Sequence, residues 1–226
     1  MQHAFYEKCD RFGNQRRIPC FGIVDGKHWA CEHPPKSGSL NYNYKAFFSF
    51  NSLFVCDAEM RIIYVQICTH GVNSDAQMFQ NGPLPELLKN AAGLVGLQIL
   101  PDGKTVMPAF ILADNGFGQS KQVMQPYRQA RLTTENIRFN EHISATRVKI
   151  ENLFGVMTSK FQVFGRALRL SPNNSRALIV ACSVVHNITV GPLVVADDDM
   201  DYPIVIDPYK TAEEQRTALK NFVLNP

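Results

Sequence analysis

The chain has 226 residues, 45% of them hydrophobic and 19% charged, with a formal net charge of +3. That is enough apolar chain for one sizeable core, and it excludes a disordered polypeptide. Glu7 and Asp10 and the lack of an apolar run exclude a secretory leader in the first ten residues. The longest apolar stretch, 177–195, is interrupted by His186, Asn187 and Pro192 and reads as a buried helix rather than a membrane span. A soluble intracellular protein is expected. Its six cysteines form no CxxC pair, and His28, Cys31 and His33 lack a second ligand pair, so free thiols are expected rather than structural zinc.

In chain order, residues 21–26 read as a buried strand that ends at a turn after Asp25. Residues 45–56, dense in Phe, read as a long strand, residues 57–59 as a tight polar turn, and residues 60–68 as the returning strand of an antiparallel meander. Asn73 or Ser74 is placed to cap a helix through Phe79, and residues 85–92 form a second helical piece. Residues 93–108 read as loop around Pro101-Asp102-Gly103, and residues 109–113 as a short apolar strand that stops at Asp114-Asn115-Gly116. Three helices follow: an amphipathic one over 140–164, one apolar nearly all round over 175–188, and a polar amphipathic one over 211–224. The second of these is expected to be central to the core. Strand, hairpin, helix, strand, then helices is an α/β order with a mixed sheet, and an RNase H-like architecture fits it.

Charge is unevenly spread. Residues 115–176 carry ten Lys/Arg against Glu135, Glu141 and Glu151, a surplus of +7 that would bind a polyanion if the side chains share a face. From Gly191 onward acids dominate, including Asp197-Asp198-Asp199, and that tail is expected to turn away from nucleic acid.

Two carboxylates stand at strand ends, Asp25 before Gly26 and Asp114 before Asn115-Gly116. Strand ends are where α/β proteins place reactive groups, although an Asp before Gly also serves as a plain turn residue. If the strands are neighbours, the carboxylates repel, and each acquires a raised pKa unless a cation intervenes. Oxygen-only ligation favours Mg²⁺ or Mn²⁺. Glu151 supplies a third carboxylate near the apolar face of its helix, with Arg147 one turn before it and Gly155 one turn after. A surface Arg147–Glu151 pair is the alternative. The helical Gly155 costs about 1 kcal/mol of propensity, which close approach of the sheet or of DNA would repay.

Six blocks then resemble the DDE endonuclease domain of PIF/Harbinger transposases and their domesticated relatives. They are Phe21-Gly22-Ile23-Val24-Asp25-Gly26-Lys27-His28; Asn43-Tyr44-Lys45-Ala46-Phe47-Phe48-Ser49-Phe50-Asn51; Gly71-Val72-Asn73-Ser74-Asp75-Ala76-Gln77-Met78-Phe79; Leu112-Ala113-Asp114-Asn115-Gly116-Phe117 with Pro126; Arg147-Val148-Lys149-Ile150-Glu151-Asn152-Leu153-Phe154-Gly155; and His186-Asn187-Ile188. Ser74 stands where the family has His, Lys27 where Thr is common, and Phe117 where Tyr is. The resemblance implies an RNase H-like catalytic domain over 21–190, after a remnant segment 1–20 and before an acidic extension 191–226 with its closing helix. It implies that Asp25, Asp114 and Glu151 are catalytic residues and ligands of two divalent metals, Mg²⁺ or Mn²⁺, for phosphodiester hydrolysis or strand transfer. Lys27, Lys45 and Arg147 are then candidate phosphate contacts, with a solvated or salt-bridged surface role as the alternative for each. Asp57 and Asp75 read instead as a hairpin turn and a first-turn helix residue, and His28 and His186 as structural histidines.

Such transposases carry a helix-turn-helix region before the catalytic core, so DNA recognition is expected to be weak or delegated. The resemblance implies a separate Myb/SANT-like partner that binds DNA and brings the nuclease into the nucleus, with some cytoplasmic protein and self-association into a homo-oligomer left open. The alternative is a domesticated, catalytically silent nuclear interaction or chromatin-associated protein that keeps the transposase fold.

Overall fold

The computed structural model describes Phe5 and residues 18–35, 37–68, 71–191 and 207–225. Residues 1–4 and the acidic run Asp197-Asp198-Asp199 lie outside the described residues, as does most of segment 1–20. Among the described residues the strands and α-helices are, in order, β1 (Gly22–Ala30), β2 (Ser49–Cys56), β3 (Ile62–Cys68), α1 (Asp75–Asn81), α2 (Leu84–Val95), β4 (Leu97–Ile99), β5 (Val106–Pro108), β6 (Ile111–Leu112), β7 (Val123–Met124), α3 (Thr134–Lys160), α4 (Pro172–Val190) and α5 (Ala212–Leu224). Five strands make one mixed sheet in the order β3-β2-β1-β6-β7, and β4 and β5 make a separate two-stranded ribbon. The first three strands run antiparallel, while β6 joins β1, and β7 joins β6, in parallel. The chain is therefore α/β with a mixed sheet, as its element order implies.

Period-two alternation splits β1 and β2 between two cores. Ile23, Trp29, Phe50, Phe54 and Cys56 face a large cluster completed by Ile143, Ile150, Leu153 and Phe154 of α3, Ile179 and Cys182 of α4, and Leu219, Phe222 and Val223 of α5. Val24, Leu53 and Val55 face a smaller cluster with Met78, Phe79, Leu84, Ile111, Ala113 and Phe117. Every residue of β2 is buried, which is why its sequence reads as a continuous apolar and small-residue run.

Several elements depart from the sequence expectation. β1 does not end after Asp25; it continues through Gly26 to Ala30, so Asp25 sits in mid-strand. The expected long strand from Lys45 starts only at Ser49. Before it, the buried Asn43 accepts from the Lys45 and Phe47 amides at 2.9 and 3.4 Å, and Ala46 takes φ 64°, folding residues 43–47 into a turn. The expected loop at 93–108 contains the β4–β5 ribbon, closed by Asp102 Oδ1 accepting from the Lys104 and Thr105 amides. α3 starts well before residue 140, because Thr133 caps it by accepting from the Asn136 amide at 3.2 Å. α4 buries only part of its surface. Val180, Val184, Val185 and Ile188 are exposed on its outer face, while Ile179, Cys182 and His186 point inward.

The caps at Ser74 and Thr211 are both capping boxes, completed by Gln77 and Glu214. The sixth block clamps the β2–β3 hairpin. Asn187 bonds both main-chain groups of Ile62, at 2.9 and 2.8 Å, and buried His186 Nε2 meets the Met60 carbonyl at 2.8 Å. Asp57 serves the hairpin turn, accepting from the Glu59 and Arg61 amides. Among the described residues Cys20, Cys31, Cys56, Cys68 and Cys182 are free thiols.

Candidate active site

β1 and β6 run parallel with Ile23 opposite Leu112; Asp25 lies two residues further along β1 and Asp114 two residues past the end of β6, close enough for its charge to act on Asp25. Leu112 and Ile23 both face the α3 side, and alternation sends Asp114 and Asp25 to that same side. Each carboxylate is braced by its own turn or strand amide: Asp25 Oδ1 accepts from Gly26 N at 2.9 Å and Asp114 Oδ1 from Gly116 N at 2.8 Å. The Asp114 carbonyl accepts from Gln125 Nε2 at 2.6 Å, which ties it to the end of β7.

α3 lies across this pair. Arg147 Nη2 stands 3.3 Å from Asp25 Oδ2, and Arg147 Nε is buried with no hydrogen-bond partner. Burial pushes the Asp25 carboxyl up to about 6, and the Asp114 and Asp75 charges push the same way, against the Arg147 cation and the Gly26 amide. Arg147 therefore serves Asp25 rather than pairing with Glu151. Glu151 itself is exposed one turn further along α3, and among the described residues no three His, Cys, Asp or Glu side chains converge closely enough to hold a metal ion. The structure thus joins Asp25 and Asp114 and leaves Glu151 at the rim.

The two joined acids nevertheless suit a hard cation. Both donors are carboxylate oxygens, and Asp25 keeps a raised pKa even with a guanidinium beside it, so its negative charge is incompletely answered.

Of the basic residues, Lys27 lies within reach of the Asp25 charge. Lys27 extends along the α3 side with Nζ 5.6 Å from both the Trp29 and Phe154 ring centres; burial lowers its pKa, as does Lys45, while Asp25 raises it. Lys45 lies on the turn before β2, with Nζ 5.4 Å from the ring of exposed Tyr44. His28 points to the opposite face, where Nδ1 meets Ser49 Oγ at 2.9 Å and burial lowers its pKa, so it is a structural histidine, as the sequence suggests.

Asp75 has a role that sequence reasoning missed. A Cβ on Gly26 would fall 2.1 Å from the Asp75 carboxyl carbon, so this carboxylate rests directly on the backbone of β1. Asn51 Nδ2 donates to it at 2.9 Å and to the Asn73 carbonyl at 2.8 Å. Gly26 is therefore required in mid-strand by a residue far along the chain, not by a turn. The signal was the pairing of Asp25-Gly26 with an Asp in the first turn of a capped helix, which has meaning only once α1 is docked on the sheet. Gly155, by contrast, meets nothing: a Cβ there has open space, so the sheet does not approach it.

With this geometry in view, the comparisons with known proteins are consistent. Residues 24–187 match the family model described as DDE superfamily endonuclease. The chain belongs to that family. Its curated relatives include the protein named "Putative nuclease HARBI1" in Bos taurus, 29% identical over 185 residues, which are 80% of this chain and 49% of the relative. The Homo sapiens protein of that name is 28% identical over 172 residues (75% and 45%), and the Xenopus laevis one 26% over 186 (80% and 49%). The chain spans about half the length of the curated relatives it matches. No solved structure matches. The Harbinger resemblance carried by the six blocks holds.

Proposed function

We propose that this chain is the catalytic core of a divalent-metal-dependent DNA endonuclease of transposase type, built on an RNase H-like sheet. The observation that supports it most is the Asp25–Asp114 pair: one carboxylate on β1 and one just past the end of the neighbouring parallel β6, the first desolvated with its pKa pushed to about 6. Asp25, Asp114 and Glu151 are the residues that would hold Mg²⁺ or Mn²⁺. Two such cations, when bound, supply an activated water or DNA 3′-OH and stabilise the leaving 3′ oxygen. The side chains orient and neutralise. Asp25 is ionised at neutral pH, which makes it a ligand rather than a proton donor. Arg147 is held by one nitrogen on Asp25, and its cation beside the acids would draw in a phosphate oxygen. Lys27 and Lys45 stand on the flanks as further phosphate contacts. In this reading the substrate is DNA, and a separate Myb/SANT-like protein supplies sequence recognition and entry to the nucleus.

The Arg147–Asp25 ion pair and the exposed Glu151 favour a second reading, a domesticated nuclear interaction protein in which the guanidinium has taken the place of a cation. Titration calorimetry with Mn²⁺ separates the two. The nuclease reading expects heat of binding in the wild type that is lost in Asp25→Asn and Asp114→Asn and weakened in Glu151→Gln. No binding in the wild type establishes the silent reading.

A further inference from the structure

Beyond Asp114, at the β7 edge of the sheet, the chain and α5 enclose a cavity of about 320 Å³ lined by Gln119, Gln125, Pro126, Arg128, Arg131 and Arg216. Three guanidinium groups therefore face one space. Arg128 precedes and Arg131 ends the short 3-10 turn Gln129–Arg131, where a spacing of three brings side chains to the same side. Glu213 answers part of the charge, pairing with Arg216 and standing 3.9 Å from Arg131 Nη1.

Arg216 is the deciding residue. It is 7% exposed, its guanidinium lies 4.0 Å from the Tyr127 ring centre, and one Nη donates weakly to the Pro126 carbonyl at 3.5 Å. Its Nε is buried with no partner at all. Tyr127 is itself fixed, its amide and carbonyl both bonded to the Asn140 side chain at 2.7 and 2.9 Å. Glu213 and the Pro126 carbonyl take the two Nη groups of Arg216, so its side chain is held rigidly in the cavity wall. Beside it, the exposed forks of Arg128 and Arg131 match a tetrahedral anion. The cavity is tied to the Asp114 backbone, because Gln125 lines it while donating to the Asp114 carbonyl at 2.6 Å.

We propose that this arginine-lined cavity binds a phosphate of the DNA backbone flanking the one placed over Asp25 and Asp114. The inference rests on the nuclease reading. It assigns to α5, inside a tail of net negative charge, a residue that holds the substrate strand. The same chemistry would also take free inorganic phosphate, and the test separates the two sources.

The test measures binding of a fluorescent DNA duplex by anisotropy, in chelator so that nothing is cleaved, over a series of salt concentrations. The wild type is compared with Arg128→Ala/Arg131→Ala, two exposed residues whose removal leaves folding intact, and with Arg166→Ala/Arg169→Ala as a charge-matched control distant from the cavity. Giving up a single ion pair to a phosphate lowers the slope of log K against log salt by about 0.9. The proposal expects that fall, with affinity at least 5-fold weaker, in the cavity variant and not in the control. Equal slopes in the two variants overturn it while leaving the nuclease reading standing. Stabilisation of the wild type, but not the cavity variant, by inorganic phosphate with unchanged DNA slopes overturns the backbone-phosphate assignment in favour of a free anion. Absence of DNA binding by the wild type overturns the nuclease reading and this inference together.

Discussion

Replacing Asp25 with Asn removes a carboxylate that the fold holds in an unfavourable place. In the unfolded chain the group titrates near its ordinary 3.8, and in the fold at about 6. The folded state therefore binds this proton more tightly. The stability it confers is complete below pH 3.8 and is lost as pH rises through about 6. At about 1.36 kcal/mol per pH unit the gap amounts to roughly 3 kcal/mol at neutral pH. Asn is isosteric with the protonated acid, so the variant is spared this decline. The unpaired Arg147 it leaves behind is charged at every pH and offsets stability by a constant amount. Thermal melts of wild type and Asp25→Asn in chelator, from pH 4 to pH 8, isolate the effect as a difference. At about 2–4 °C per kcal/mol for a chain of this size, the variant gains about 6–12 °C on the wild type across that range. A constant Tm difference across the range would refute the buried, incompletely neutralised carboxylate. The deficit should also shrink in the wild type, and not in the variant, when Mn²⁺ replaces the chelator.

Gly26→Ala places a methyl 2.1 Å from the Asp75 carboxyl, and chemical denaturation should show a loss of about 1–3 kcal/mol that Gly26→Ala/Asp75→Ala partly recovers. Gly155→Ala has open space and a helical backbone, so it should stabilise by about 0.5–1 kcal/mol; a simultaneous fall in DNA affinity would show that the strand passes close to this point of α3. On α4, Ile179→Ala should cost about 2–5 kcal/mol in the same denaturation assay. Val184→Ala, at a position 54% exposed, should change stability by less than about 0.5 kcal/mol; comparable costs at the two positions would mean that the outer face of the helix is covered.

What was legible in the sequence was local. Ser74 with Gln77 and Thr211 with Glu214 mark their helices because a capping box involves neighbours three residues apart. The hairpin at Asp57 and the strand before Asp114 were readable for the same reason. The two-residue strand β7 and the three-residue β4 and β5 are too short to display a period, and they exist only because partner strands satisfy them. The long run before β2 misled because its Phe residues suggest a strand, while buried Asn43 folds their first half into a turn.

At the site, Asp25 and Asp114 could be named from the apolar strands before them and the glycines after them, although β1 runs on past Asp25. What they touch could not. Arg147 reaching Asp25 across the α3–β1 interface and Asp75 resting on Gly26 join residues 122 and 49 positions apart in the chain, and no spacing rule encodes them. Arg216 was hidden more deeply, since the acidic composition of its tail pointed away from nucleic acid, and only the packing of α5 beside Gln125 reveals its side chain facing the cavity.

Cleavage of DNA with the help of a divalent cation is the activity proposed for the Asp25–Asp114 pair with Glu151. Its most direct test is incubation of supercoiled plasmid with high concentrations of the protein and Mn²⁺, comparing wild type with Asp114→Asn and with chelator. Conversion to nicked circles by the wild type, absent in both comparisons, is the predicted result. Nicking that persists undiminished in Asp114→Asn would contradict the account.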